Sequence, residues 1–268
     1  MSMAIDPTRY RHVRFTRQGR ILTAALDREQ ALNAVDAALH EELSRLFTDL
    51  EADEDSDVLV LTGTGRAFCA GGDLPWLQSA IDDPAVFERT AVEGKAILFR
   101  QLELTKPIIA RLNGPAVGLG ASLALFCDIV IAAQSAIIAD PHVSVGLVAG
   151  DGGAIIWPQL VGYARAKEYL LTGAQLGAQE AERIGLINRV VPDAQLDATV
   201  HELAQRLAAG ALKAIKWTKI ATNLPLKKLV HEMFDAAVAY EMLSNRTQDH
   251  REAIAAFRER RKPVFVGR

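Results

Sequence analysis

Two apolar runs, "DVLVLTG" (57–63) and "KPIIARLNG" (106–114), stop at glycine. Each passes directly into a second glycine-rich stretch, "GRAFCAGGDL" (65–74) and "GPAVGLGAS" (114–122). A run of that length without alternation suits a strand buried on both faces, the habit of parallel sheets. A glycine-rich turn between such a strand and a following helix brings backbone N–H groups close to a ligand with no Cβ in the way. The helix start adds unpaired donors and partial positive charge. Two such turns aimed at one point would hold an oxyanion without any reactive side chain.

The rest of the chain fits an α/β architecture. "HVRFT" and "RILTAAL" (12–26), joined at Gln18-Gly19, read as a hairpin. Asp36 is placed to cap a helix through Glu51, with Leu39, Leu43, Leu46, Phe47 and Leu50 at helical spacing. Residues 84–104 read as helix, and "DIVIAA" (128–133) as a third buried strand. "DPHVSVGLVAGDGG" (140–153) is a third irregular, glycine-rich stretch. From 154 onward the pattern is helical: 154–161, 164–171, 178–184, 194–209, 211–222, 226–245 and 248–260, with only "NRVV" (188–191) reading as strand. Alternating strands and helices imply βαβ units and a mainly parallel sheet. The organisation expected is a core over 1–192 and a helical region over 193–268, suited to lids or oligomer contacts.

Composition excludes some functions. Thirty basic against 33 acidic residues leave a net charge of −3, with no basic stripe of the kind nucleic acid or an anionic membrane requires. The one basic cluster, "RERRK" (258–262), reads either as a solvated helix end or as a contact for phosphates. Two cysteines without framework spacing, Cys69 and Cys127, fit a reducing compartment. The N-terminal "MSMAIDPTRYRHVRF" has no apolar core of a secretory signal, and the longest apolar run, "PAVGLGASLALFC" (115–127), is too short for a bilayer. A cytoplasmic location is expected. "GLGASLA" (118–124) begins like a dinucleotide fingerprint but lacks its third glycine, and the chain contains no P-loop.

Several segments resemble the crotonase family, the enoyl-CoA hydratase/isomerase superfamily. They are "LDREQALNAV" (26–35), "LTGTGRAFCAGGDL" (61–74), "KPIIARLNGPAVGLGASLALFCDIVIAA" (106–133), "GLINRVVP" (185–192) and "FRERRKPVFVG" (257–267). The resemblance implies a ClpP/crotonase-like spiral of ββα units and a helical C-terminal region that drives trimerisation, commonly into a dimer of trimers. It implies an acyl-CoA thioester substrate, with coenzyme A entering as part of that substrate and no separate cofactor or metal. It places two N–H donors, those of Gly72 and Leu119, on the thioester oxygen. It assigns CoA contacts to Arg28, Ala31, Leu32, Ala70, Gly72, Asp73, Leu74 and Leu119.

The chain departs from the hydratase pattern at both acid–base positions. Ser122 and His142 stand where the resemblance implies glutamates. The remaining candidates are Asp151, His142 and Ser122. The loop carboxylate of several isomerase and dehalogenase branches aligns with Gly150, one residue before Asp151. Asp151 is either an acid–base group or the cap of the helix starting near 154. His142 is either a base or a ring bonded to backbone. Ser122 is either a hydrogen-bond donor or a small packing residue. Asp73 is read as ordering its loop or touching the CoA arm, Asp140 as shaping the turn before Pro141, and Cys69 as a spectator. Trp76, Leu77, Ile81 and Phe87 suggest an apolar acyl group. The expected activity is of hydratase/isomerase type. The alternatives are an isomerase using Asp151 as single base, a thioester or carbon–carbon hydrolase, and an acyl-CoA-binding protein without turnover.

Overall fold

The computed structural model describes residues 4–268, so the first three residues of the segment read for a leader lie outside the described residues. The chain opens on β1 (Val13–Gln18) and β2 (Ile21–Leu26), an antiparallel hairpin with Gln18 opposite Ile21. Helix α1 (Ala37–Ala52) starts at Asp36, whose side chain accepts the Leu39 N–H, as its sequence position predicts. Strand β3 (Val58–Gly63) follows, then α2 (Leu74–Asp82) and α3 (Pro84–Glu103). Next come β4 (Ile108–Leu112), β5 (Ala116–Val117), α4 (Leu119–Leu125), β6 (Ile129–Ala133) and β7 (Ile137–Ala139). The C-terminal half contains α5 (Gly153–Thr172), β8 (Leu176–Gly177), α6 (Ala178–Arg183), β9 (Arg189–Val191), α7 (Leu196–Ala208), α8 (Leu212–Asn245) and α9 (Gln248–Arg258).

Six strands form the main sheet in the order β1-β2-β3-β4-β6-β9, parallel from β2 onward. Every residue of β3 is buried, because both faces of the sheet are covered. Leu59 and Leu61 enter the main core with the α1 stripe, while Val58 and Val60 meet Leu196, Val200 and Leu203 of α7 on the other side. A second sheet, β5-β7-β8, stands beside the first. The chain visits it between main-sheet strands, β5 after β4 and β7 after β6. This return between two sheets is the spiral ββα arrangement that the resemblance implies.

Three segments differ from their sequence reading. The two helices expected over 211–222 and 226–245 are one 34-residue helix, α8, with Pro225 inside it. Proline removes one helix bond, but Lys219 is anchored before it and Val230 and Phe234 are buried after it, so packing on both sides carries the helix through. Helix α2 and the small sheet were not foreseen. Strands of two or three residues leave no periodic trace, and α2 begins inside the glycine stretch. The expected break between 154–161 and 164–171 is present within α5, where Gly162 has φ 76°.

Candidate active site

The two glycine loops are tied into one body. The Val117 N–H donates to Cys69 O at 2.9 Å, and the Gly118 N–H to Ala139 O at 2.9 Å. The first loop is also held from below by Asn33, which is fully buried and gives its amide to Thr64 O and Ala67 O, both at 2.9 Å. Val35 bonds to both neighbours of Gly72, donating to Gly71 O and accepting from the Asp73 N–H. In a parallel bridge of that kind the Gly72 N–H is directed away from Val35. Leu119 is the first residue of α4, so its N–H has no acceptor within the helix. Gly118, with φ 54° and ψ −123°, supplies the sharp turn into that helix.

Gly72 and Leu119 line one cavity of about 300 Å³. Ala70, Leu74, Trp76 and Leu77 form its first side, Pro141, His142, Val145 and Asp151 another, and Glu241 and Asn245 of α8 a third. Of the residues tied to CoA by resemblance, Arg28, Ala31, Leu32 and Asp73 do not line the cavity. Asp73 caps α2 through the Trp76 N–H at 2.9 Å and pairs with Arg28 at 3.1 Å. Arg28 also pairs with Asp36 at 2.9 Å, so its guanidinium braces the loop from behind. Cys69 is buried beside the cavity, and burial pushes its thiol up to about 12, so it stays protonated.

The titratable side chains converge at the third glycine stretch. Asp151 accepts the Ser122 hydroxyl at 3.1 Å and faces His142 Nε2 at 3.5 Å. The other ring nitrogen, Nδ1, bonds to Asp140. Asp140 is thus more than a turn former: it is buried, paired with His142, and its second oxygen has no partner among the described residues. Gly152 holds the N-cap position of α5, and Asp151 accepts the N–H of Gly153, its first residue, so it helps to cap the helix as well as facing His142. Ser122, fully buried on α4, positions the Asp151 carboxylate.

Burial opposes a charge on His142, but Asp140, Asp151 and Glu241 outweigh it and hold its pKa well above the ordinary value. Burial raises Asp151, with Asp140 adding, while His142, the Ser122 hydroxyl and the Gly153 N–H oppose. Burial pushes Glu241 up to about 8, with Asp151 and Asp140 adding and His142 opposing. Asp140, His142 and Asp151 each offer a ligand atom within 4.8 Å of the others. Both ring nitrogens already face a carboxylate, so the trio forms a chain of ion pairs.

The sequence reading missed four polar lining residues, Thr90, Asn245, His40 and Glu241, of which the last two are titratable. His40 hides in the α1 stripe, with its Nδ1 bonded to Glu93 at 2.6 Å and its ring against Trp76. Glu241 continues the buried face of α8 after Val230, Phe234 and Ala237. A helix read straight through Pro225 places a glutamate on that apolar stripe, the signal that could have found it.

Comparison with known proteins agrees with this architecture. The family described as "Enoyl-CoA hydratase/isomerase" matches residues 16–268. The chain is 36% identical to a 1,2-epoxyphenylacetyl-CoA isomerase of Escherichia coli (strain K12), covering 92% of this chain and 95% of that one. Among solved structures, an enoyl-CoA hydratase/isomerase from Mycobacterium paratuberculosis superposes with a TM-score of 0.88 at 37% identity, covering 91% of this chain and 97% of that one. A beta-diketone hydrolase from the cyanobacterium Anabaena sp. PCC 7120, bound to (S)-3-oxocyclohexyl acetic acid, gives a TM-score of 0.84 at 30% identity, covering 90% and 96%. The chain is a member of the enoyl-CoA hydratase/isomerase family, an acyl-CoA enzyme family with the crotonase fold.

Proposed function

We propose that the protein acts on an enoyl-CoA thioester, held by the Gly72 and Leu119 N–H groups, with Asp151 moving the proton at Cα. The observation that carries this reading is the position of Asp151. It lies in the wall of the cavity that both donor residues line, tied to α4 through Ser122 one turn after Leu119. A thioester oxygen on the two donors gains most as it turns into an enolate, where one preorganised donor is typically worth ~3 kcal/mol. Withdrawing charge in this way acidifies Cα. Asp151 then takes the Cα proton, and the protonated His142 beside it keeps the carboxylate ionised despite burial. His142 therefore serves as cation or proton donor, with Asp140 as its counter-ion, and not as the base. The reaction is of hydratase/isomerase type. Arg28, Ala31, Leu32, Ala70, Asp73 and Leu74 form or brace the CoA side. The exposed apolar side chains of α8 and the tail, Trp217, Leu224, Tyr240 and Phe265, support assembly into a trimer or hexamer.

The test is turnover of crotonyl-CoA and 3-butenoyl-CoA by the wild type and by Asp151→Asn. Conversion that falls at least ~100-fold in the variant supports the reading. Undiminished conversion sinks it.

A second reading rests on the clamping of His142 between Asp140 and Asp151 and on the likeness to a beta-diketone hydrolase. Here water adds to one carbonyl of a β-diketone, the bond to the carbon between the carbonyls breaks, and the released enolate takes a proton there. Keto-acid formation from a cyclic β-diketone, with both CoA substrates untouched, would favour it.

A further inference from the structure

Helix α8 presents two buried polar side chains to the cavity, one turn apart. Glu241 is 9% exposed and Asn245 is 4% exposed. The Glu241 carboxyl makes no hydrogen bond to the described residues, and the Asn245 amide nitrogen has no partner among them. The Glu241 oxygens are not among the fully buried polar atoms, so the carboxyl opens onto the cavity. It stands out here because every other buried acid around the cavity is bonded: Asp140 to His142, Asp151 to Ser122.

The surroundings are built around this carboxyl. A Cβ added to Gly150 would lie 2.8 Å from Glu241 Oε2 and 2.5 Å from Ala237 O. The glycine before Asp151 thus lets α8 approach and leaves its space to the Glu241 carboxyl. Ser244 fixes the approach by accepting the Val148 N–H at 3.0 Å. Asp151 and Glu241 then occupy different walls. Asp151 is tied to α4 and so to the donor end, whereas Glu241 stands beside Asn245, which shares the wall region of Ala80 and Phe87.

We infer that Glu241 is a second proton-transfer residue of this site, serving the acyl carbons beyond Cα while Asp151 serves Cα. The inference rests on the enoyl-CoA reading above. In the shift of a 3-enoyl to a 2-enoyl thioester, Asp151 takes the Cα proton and the electron pair moves into the thioester. The protonated Glu241 gives its proton to Cγ as the double bond moves to Cα–Cβ. The proton on Asp151 then passes to Glu241, which restores both groups. Two carboxyls of one cavity, one paired with His142 at 3.5 Å and one without an ion-pair partner among the described residues, suit such a relay. Burial favours the neutral acid at both, and His142, closest to Asp151, opposes it there most directly.

Two readouts on Glu241→Gln test this. The first is deuterium uptake at Cα of butyryl-CoA in D2O, which needs only the Cα base. The second is conversion of 3-butenoyl-CoA to crotonyl-CoA, which needs both groups. The inference predicts Cα exchange within about threefold of wild type and isomerisation reduced at least ~100-fold. Retained exchange also shows that the variant is folded and binds thioester. Isomerisation within about threefold of wild type overturns the inference and leaves the Asp151 reading standing. Equal loss of both activities also overturns it, because Glu241 then only supports the site. Absence of Cα exchange in the wild type overturns the enoyl-CoA reading and the inference with it.

Discussion

Asp151 carries an opposition between stability and chemistry. Its pKa is raised by burial, so its folded-state value lies above the unfolded one. A carboxyl in that state contributes most below its unfolded pKa and costs stability once the pH passes through its folded one. Replacing it by asparagine removes that cost. Asp151→Asn is therefore expected to lose ~10²–10⁴ in turnover while its Tm at neutral pH stays level or rises. Differential scanning calorimetry beside the activity assay checks both halves. Asp151, His142 and Ser122 were legible in the sequence because they sit in or beside glycine-rich stretches, where few side chains compete for a role. Asp140 and Glu241 were not. Asp140 precedes a proline and looks like any turn residue, and its meaning comes from a hydrogen bond to a ring two residues on. Glu241 is one of several acids on a long helix, and its place on the apolar stripe of Val230, Phe234 and Ala237 shows only when those positions are read as one buried face.

At the scale of elements, α4 is the sensitive part. A Cβ on Gly120 would lie 2.5 Å from Cys69 O, so the first turn of α4 rests directly on the other glycine loop. Gly120→Ala is expected to cost ~1–3 kcal/mol through overpacking and, by pushing the Leu119 N–H off its line, to lower kcat/KM more than that loss of stability explains. Urea titration and kinetics on the same preparation separate the two effects. A second joint lies at the far end of α8, where the buried Lys219 ammonium donates to Lys106 O at 2.8 Å and pairs with Asp128 at 2.7 Å. Lys219→Met strands Asp128, whose pKa burial already raises, and is expected to cost ~3–5 kcal/mol at neutral pH, less where acid protonates Asp128. The parallel strands and their connecting helices were readable from runs and caps, whereas the passage of α8 through Pro225 was not. That passage depends on contacts between distant positions, such as Lys219 with Lys106, 113 residues apart, which no local pattern records.

Across the whole molecule, the buried cluster sets the pH dependence of stability. The folded-state pKa of Glu241 is about 8 against an ordinary 4.5, so between those values the folded state holds a proton that the unfolded state has released. Stability must fall as pH rises through that window. His142 adds to the same slope above its ordinary pKa, because the folded state retains its proton as well. Chemical denaturation across this range should show the decline, and Glu241→Gln should flatten it. Among the described residues no helix is long and apolar enough to cross a membrane. The apolar side chains left on the outside of α8 and α9 are the surfaces through which we expect copies of the chain to meet. In the reading proposed above, backbone donors on two glycine loops make a thioester enolate reachable, and Asp151 is the base. Proton NMR of butyryl-CoA in D2O tests it most directly. Steady deuterium uptake at Cα is expected with wild-type enzyme, and at least ~100-fold slower uptake with Asp151→Asn. Equal uptake by the two proteins, or none by the wild type, would contradict that reading.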